Sequence, residues 1–331
     1  MDTQEYNLIP PPPGIFLAFK DGYQAISSHL TAILFPVALD LFLWLGPHLN
    51  VTGFVKSYFD FVKRISPGPN TTQELAVQRQ MLEWATHFNL FSVVSTFPIG
   101  NSSLLSGKRP DLTPFGPPVT IPVTSLLEIF IWVLPLTLLG WIVGGLYFNI
   151  IARAVLPPVD GQSNRIGFGR AIAQSIILSL TWVVIVMMVG IPAMVVFVLL
   201  GLISMAVAQT LLLVAASFGI WLALPVYFSP HGIFVRRQNA LHSILSSIQM
   251  VRYTLPTSSL FLMGVFLITL ATNWLWTVPD ANSWLLLIGI AGHGFVTSTL
   301  LASSFIYYRN MNEWLQAAFE RLRSKTPRPS Q

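Results

Sequence analysis

The chain has no cysteine among its 331 residues. Disulfides, thiolate metal sites and cysteine nucleophiles are thereby excluded together. Charge is nearly as scarce: Lys, Arg, Asp and Glu make up 9% of the sequence, where a soluble domain carries roughly 25%. From Ala171 to Ser229 there is none at all. A run of about 18 or more such residues reads as membrane-spanning. The signatures of catalysis are also missing. There is no H-E-x-x-H, no G-x-S-x-G elbow, no P-loop and no pair of aspartates at fixed helical spacing. His293 and Ser298 are five apart, off a common helix face, and the six histidines are scattered. The expectation is a protein without catalytic activity, cofactor or metal.

What is present is apolar and segregated. Hydrophobic residues are 53% of the chain, gathered into runs near 29–48, 122–151, 172–199, 203–228, 257–277 and 283–307. About 20 residues cross a bilayer core, so the expected fold is an all-α polytopic membrane protein of about six transmembrane helices. Ile172 to Phe228 is long enough for two long helices or three short ones. Basic residues decide, because Lys and Arg in short loops near span ends favour the cytoplasm. Arg153, Arg165 and Arg170 precede the run, and Arg236, Arg237 and Arg252 follow it. Two crossings, with a turn near Gly201, put both groups on one side.

Twelve of the 18 basic residues then fall in the amino terminus, the 152–171 and 229–256 loops and the carboxy tail. The other six lie in one long outer segment, where the rule has little force. Both termini are expected in the cytoplasm, in a plasma (inner) membrane. Residues 1–27 carry Asp2, Glu5 and Asp21 against Lys20, and no small-residue cleavage site follows the first apolar run. A removable signal peptide is therefore not expected. The spread of positive charge over separate loops suits membrane orientation and not nucleic acid. Trp274, Trp276 and Trp284 flank an outer turn as an aromatic belt does, and Pro36, Pro135, Pro192 and Pro225 predict kinks in the first four spans.

Between the fourth and fifth runs, Leu241, Ile244, Leu245, Ile248 and Val251 recur at helical spacing. Arg237, Gln238, His242, Ser243, Ser246, Gln249 and Arg252 mark the other side. The pattern predicts an amphipathic helix in the headgroup plane, with Arg236, Arg237 and Arg252 meeting anionic lipid. Weaker relatives of this stretch, "GYQAISSHLTAILFP" and "FGRAIAQSIILSL", lead into the first and third spans. They suggest a threefold unit of interfacial helix, span, outer turn and returning span. The segment "LPVYFSPHGIFVRRQNALHSILSSIQMV", followed by a new span, resembles a pattern in uncharacterised bacterial integral-membrane proteins. These are similar to the membrane domains that accompany some glycerophosphodiester phosphodiesterases. The likeness covers roughly 224–270 and, more faintly, the other two units. It implies a six-helix bacterial inner-membrane domain, and with no phosphodiesterase domain here it implies no activity.

Residues 49–121 form the outer segment, expected as a helical cap. Val51, Phe54, Val55, Tyr58, Phe59 and Val62 outline one apolar face, and Thr71 to Glu74 fits a capping box opening a second helix. A Pro/Gly/Ser-rich loop follows. The segment reads either as a lid or partner-docking cap, or as two interfacial helices that merely join spans. Asn50, Asn70 and Asn101 begin N-x-S/T sequons. The tail, 308–331, repeats the basic amphipathic theme with Arg321 and Arg323, as an interfacial anchor or a docking helix. Before these come the 1–28 amino-terminal segment and the first span, and residues 122–307 hold the other five spans.

Ionisable residues inside spans are functional candidates by default. Asp40 and His293 each fall near mid-bilayer and are expected within pairing reach, with Glu128 nearer the outer edge. Such a set can relay protons or bind a cation, and it can equally hold helices together. Gly140 and Gly144 form GxxxG, a pattern that lets helices approach closely and that would serve a homo-oligomer. Two functions remain open. One is a non-catalytic scaffold, assembly factor or accessory subunit acting through lipid and protein contacts. The other is a small-solute or ion transporter using Asp40, Glu128 and His293.

Overall fold

The computed structural model describes residues 11–68, 71–107, 110–156 and 166–324. Nine α-helices are present among them: α1 (Ile15–Ser28), α2 (Leu34–Leu45), α3 (Thr52–Ile65), α4 (Thr72–His87), α5 (Leu126–Val155), α6 (Phe168–Ile203), α7 (Met205–Arg236), α8 (Ala240–Trp276) and α9 (Leu286–Ser324). α5 to α9 are each long and apolar enough to cross a membrane, and the bent pair α1–α2 makes a sixth crossing if counted as one. The chain is an all-α, multi-pass membrane protein. The expected single span over 29–48 is corrected, since α2 has only 12 residues and is far shorter than the roughly 20 needed. Pro36, which lacks an N–H, fits the first turn of α2, just after the break at Ser28–Leu30.

By contacts the chain divides into two compact units. Unit 1 comprises 1–28, 151–266 and 299–331, and unit 2 comprises 29–150 and 267–298.

Unit 1 is packed with small polar residues. Ser175, Ser179, Ser229, Ser243, Ser247, Ser258, Ser303 and Ser304 are all fully buried. Most return their hydroxyl to a backbone carbonyl, as Ser175 does to Ala171 (2.8 Å) and Ser303 to Thr299 (2.7 Å). A satisfied serine is compact enough for close helix approach. Gly232 of α7 makes room for Ser243 of α8, and Gly22 of α1 makes room for Ser303 of α9. The apolar part of this core includes Phe228, Phe261, Tyr307 and Tyr308, with Phe261 and Tyr307 stacked at 4.3 Å.

The helix expected in the headgroup plane is joined closely to its neighbours. α7 runs on to Arg236 and α8 begins at Ala240, so only 237–239 remain outside helix. α8 continues into the fifth span through a non-helical Thr254. Its face is also reversed. Ser243, Ile244, Ser247, Met250 and Val251 are buried, whereas Leu241, Leu245 and Ile248 are exposed. Serines point inward because they pack tightly, and leucines point outward because lipid costs them nothing. The tail is likewise no separate anchor, since α9 is continuous to Ser324 with Met311 and Ala318 buried.

The two-crossing reading of 172–228 matches the structure, with the turn at Ser204. α6 and α7 pack along each other, and their side chains between Val184 and Val214 are largely exposed. The basic helix ends lie together. Arg170 donates to the Arg237 carbonyl (3.0 Å), Arg153 to that of Ile166 (2.9 Å), and Arg309 to that of Val155 (3.5 Å). Of the three proposed threefold units, α1 and α8 break before their spans and α6 does not.

In unit 2 the outer segment is ordered, as α3, α4, a 3-10 turn at Leu90–Val94 and a parallel strand pair. The strands are β1 (His48–Asn50) and β2 (Thr120–Pro122), a feature absent from the sequence reading. The capping box forms: Glu74 N donates to Thr71 Oγ1 (3.2 Å) and Thr71 N to Glu74 Oε2 (2.8 Å). Two sequon residues, Asn50 and Asn101, are buried and out of reach of glycosylation, and Asn70 lies outside the described residues.

Candidate functional site

The polar centre of unit 2 is assembled from α2, the loop at 101–105, the end of α8 and the start of α9. Asp40 and His293 are 0% and 1% exposed. Asp40 Oδ1 accepts from Ser103 Oγ (2.5 Å) and Leu105 N (3.3 Å). Asp40 Oδ2 stands 3.9 Å from His293 Nε2. His293 Nδ1 lies 3.1 Å from Asn273 Oδ1. An amide oxygen only accepts, so Nδ1 carries the ring hydrogen and Nε2 is left facing the carboxylate. Neither Asp40 Oδ2 nor His293 Nε2 has a hydrogen-bond partner. At 3.9 Å the contact is too long for a hydrogen bond.

Leu39, Leu43, Leu104, Leu105 and Ile290 belong to the apolar cluster around this site, which keeps water off the pair. The carboxylate fastens the Pro-rich loop to α2, and Asn101 adds a second fastening from its Nδ2 to the Phe35 carbonyl (2.6 Å). Chain and chemistry meet here: a loop that the sequence left unplaced is held by a mid-helix acid.

Against protein-family models, curated proteins and solved structures, the chain matches none. The site is therefore read from its own geometry.

Glu128 does not join the pair. Its carboxylate accepts from Thr124 N (2.6 Å) at the first turn of α5, capping its own helix, which corrects its expected role as a third member acting with the Asp40–His293 pair. Gly140 and Gly144 are also reassigned. A Cβ on Gly140 would stand 2.5 Å from the Val94 carbonyl oxygen, and one on Gly144 would stand 2.6 Å from Gly100 Cα. The glycine face receives the 94–100 loop and not a second helix. Among the described residues no three His, Asp or Glu side chains gather as metal ligands would.

The basic candidates have internal partners. Arg236 reaches Asn312 (3.4 Å), and Arg237 takes a left-handed conformation (φ 52°) that ends α7. Arg252 lies 5.9 Å from the Tyr253 ring and lines a cleft of about 810 Å³ with Gln316, Phe319 and Glu320. Arg321 is exposed. The side chain of Arg323, like Arg165 and Lys325, lies outside the described residues.

Sequence reasoning missed Ser103, Asn273 and His231. Asn273 carried a signal, being an amide inside a span. His231 is 1% exposed in unit 1, bonded to Ser304 Oγ (2.7 Å) and ringed by Tyr227, Phe228, Phe305 and Tyr308. Since Ser304 Oγ donates to the Leu301 carbonyl (2.7 Å), it accepts from the imidazole. That leaves no free hydroxyl for nucleophilic work.

Proposed function

We propose that this chain is a non-catalytic accessory or scaffold subunit of a bacterial inner membrane, with both termini in the cytoplasm and the α3–α4 cap outside. One observation carries the reading. Tyr58, Phe61, Val62 and Ile65 stand at i, i+3, i+4 and i+7 on α3 and are all exposed. They continue the apolar face that packs inward through Val55 and Phe59, which the protein's own core covers only at its N-terminal end. An apolar face covered at one end only leaves its other end for something else. Lys63 and Arg64 flank the two edges of the whole apolar face, which suits a partner protein with an apolar, acid-rimmed surface. The sealing of Asp40 and His293 agrees, because a transport site must meet water.

Extraction into a lipid-retaining disc, followed by mass spectrometry, should recover a stoichiometric protein partner that Phe61→Asp removes while the chain itself stays folded. Recovery of no partner, or a partner that survives Phe61→Asp, would sink the reading. Orientation has its own test, made simple by the absence of native cysteine. Single cysteines at exposed Ser106 and His242 should react with an impermeant reagent from opposite sides, and labelling from one side would refute the topology.

A second reading has specific support in Asp40 and His293, two buried titratable groups that face each other. A proton-coupled transporter would use them, and Asp40→Asn would then abolish uptake without unfolding the chain.

A further inference from the structure

Unit 1 carries a cleft of about 810 Å³ between α8 and α9, within the size range of small-molecule sites. Gln249, Arg252 and Tyr253 line it from α8, and Gln316, Phe319 and Glu320 line it from α9. Tyr253 and Phe319 meet edge to face at 5.2 Å, which ties the two walls together. Two helical turns beyond Tyr253, α8 begins to expose Leu260, Met263 and Phe266. That helix is long and apolar enough to cross the membrane. The cleft therefore stands at the depth of the lipid headgroups, where tyrosine concentrates.

It holds one charge of each sign, and the two do not meet. Among the described residues the ion pairs are His293–Asp40 and Arg309–Glu313, so Arg252 and Glu320 line one space without pairing. A guanidinium presents a planar fork of N–H donors that phosphate oxygens accept. A carboxylate offers acceptors only. A purely anionic headgroup would suit Arg252 and be repelled by Glu320. A group that carries a phosphate and an ammonium on a short linker suits both.

We propose that this cleft binds a phosphoethanolamine group, with the phosphate on Arg252 and the primary ammonium on Glu320. A trimethylammonium has no N–H to give the carboxylate, so choline is the poorer ligand. The same chemistry is available from an ethanolamine phospholipid and from free phosphoethanolamine.

The test uses the full chain in detergent and short-chain phospholipids with identical tails, with occupancy read by native mass spectrometry. The ethanolamine lipid should bind about tenfold more tightly than its choline and glycerol counterparts, the effect of one charge-assisted hydrogen bond. Glu320→Gln should bring the ethanolamine lipid to the choline level and leave choline binding unchanged. Arg252→Gln should weaken both about tenfold, since both carry the phosphate. Both side chains are exposed, so the variants keep the fold, which an unchanged unfolding temperature checks. Free phosphoethanolamine that displaces the lipid at equal concentration marks the soluble group as the ligand, and displacement only in large excess marks the lipid. Equal binding of the three lipids, tighter binding of the glycerol lipid, or an ethanolamine preference that survives Glu320→Gln would overturn the proposal.

Discussion

Replacing Asp40 by alanine should destabilise the protein by about 3 kcal/mol or more, the cost of stranding the buried partners of a charged group. Two groups lose their acceptor at once, the Ser103 hydroxyl and the Leu105 N–H, and His293 loses the carboxylate that faces it. Alanine also leaves space inside the cluster of Leu39, Leu43 and Ile290. Asparagine should do far less harm, about 1 kcal/mol, because its Oδ1 still accepts from Ser103 and Leu105. Thermal unfolding followed by tryptophan fluorescence reads both, with Trp44 and Trp132 in the same core. An alanine variant as stable as the parent would show that the acid does not fasten the loop. An asparagine variant that is stable but inactive would shift weight to the proton-coupled reading.

Gly144→Leu should be at least as damaging, and for a different reason. The atoms its side chain would meet are the Cα and N of Gly100, at 2.6 and 2.7 Å from the first carbon alone. Backbone cannot rotate aside as a side chain can, so even alanine there should cost about 1–3 kcal/mol. Leucine should unseat the 94–100 loop, and with it Asn101 and Ser103. Proteolysis near 95–107 should become fast, and the unfolding temperature should fall. Gly219→Leu is the matched control, because nothing lies within 4 Å of a Cβ built there. Equal stability of the two variants would contradict the packing described for α5.

The crossings and the shared basic end were legible because both follow from what lipid excludes, namely charge. Arg170 and Arg237 could be placed together by counting crossings, and a hydrogen bond joins them. The capping box at Thr71 was legible because it is local. The inner face of α8 was not. Amphipathicity in water sends leucine inward, whereas Leu241 and Leu245 here face outward and Ser243 and Ser247 are buried. The pairing of Asp40 with His293 could be anticipated from depth alone. Their clasp could not, since Ser103 and Asn273 are 63 and 20 residues from the groups they bind. The role of Glu128 was misjudged because a first-turn acid serves its own helix before any distant site.

The α6–α7 hairpin has a mechanical consequence. The charge-free part of α6, Ala171–Ile203, is about 50 Å long at 1.5 Å per residue, against a hydrocarbon layer of about 30 Å. Immersing it whole requires a lean near 53°, beyond the roughly 40° limit of ordinary tilt. A thin bilayer leaves greasy surface wet at the tip around Ser204, and a thick one covers it. How much of the hairpin's apolar surface is covered thus varies with the local depth of the membrane.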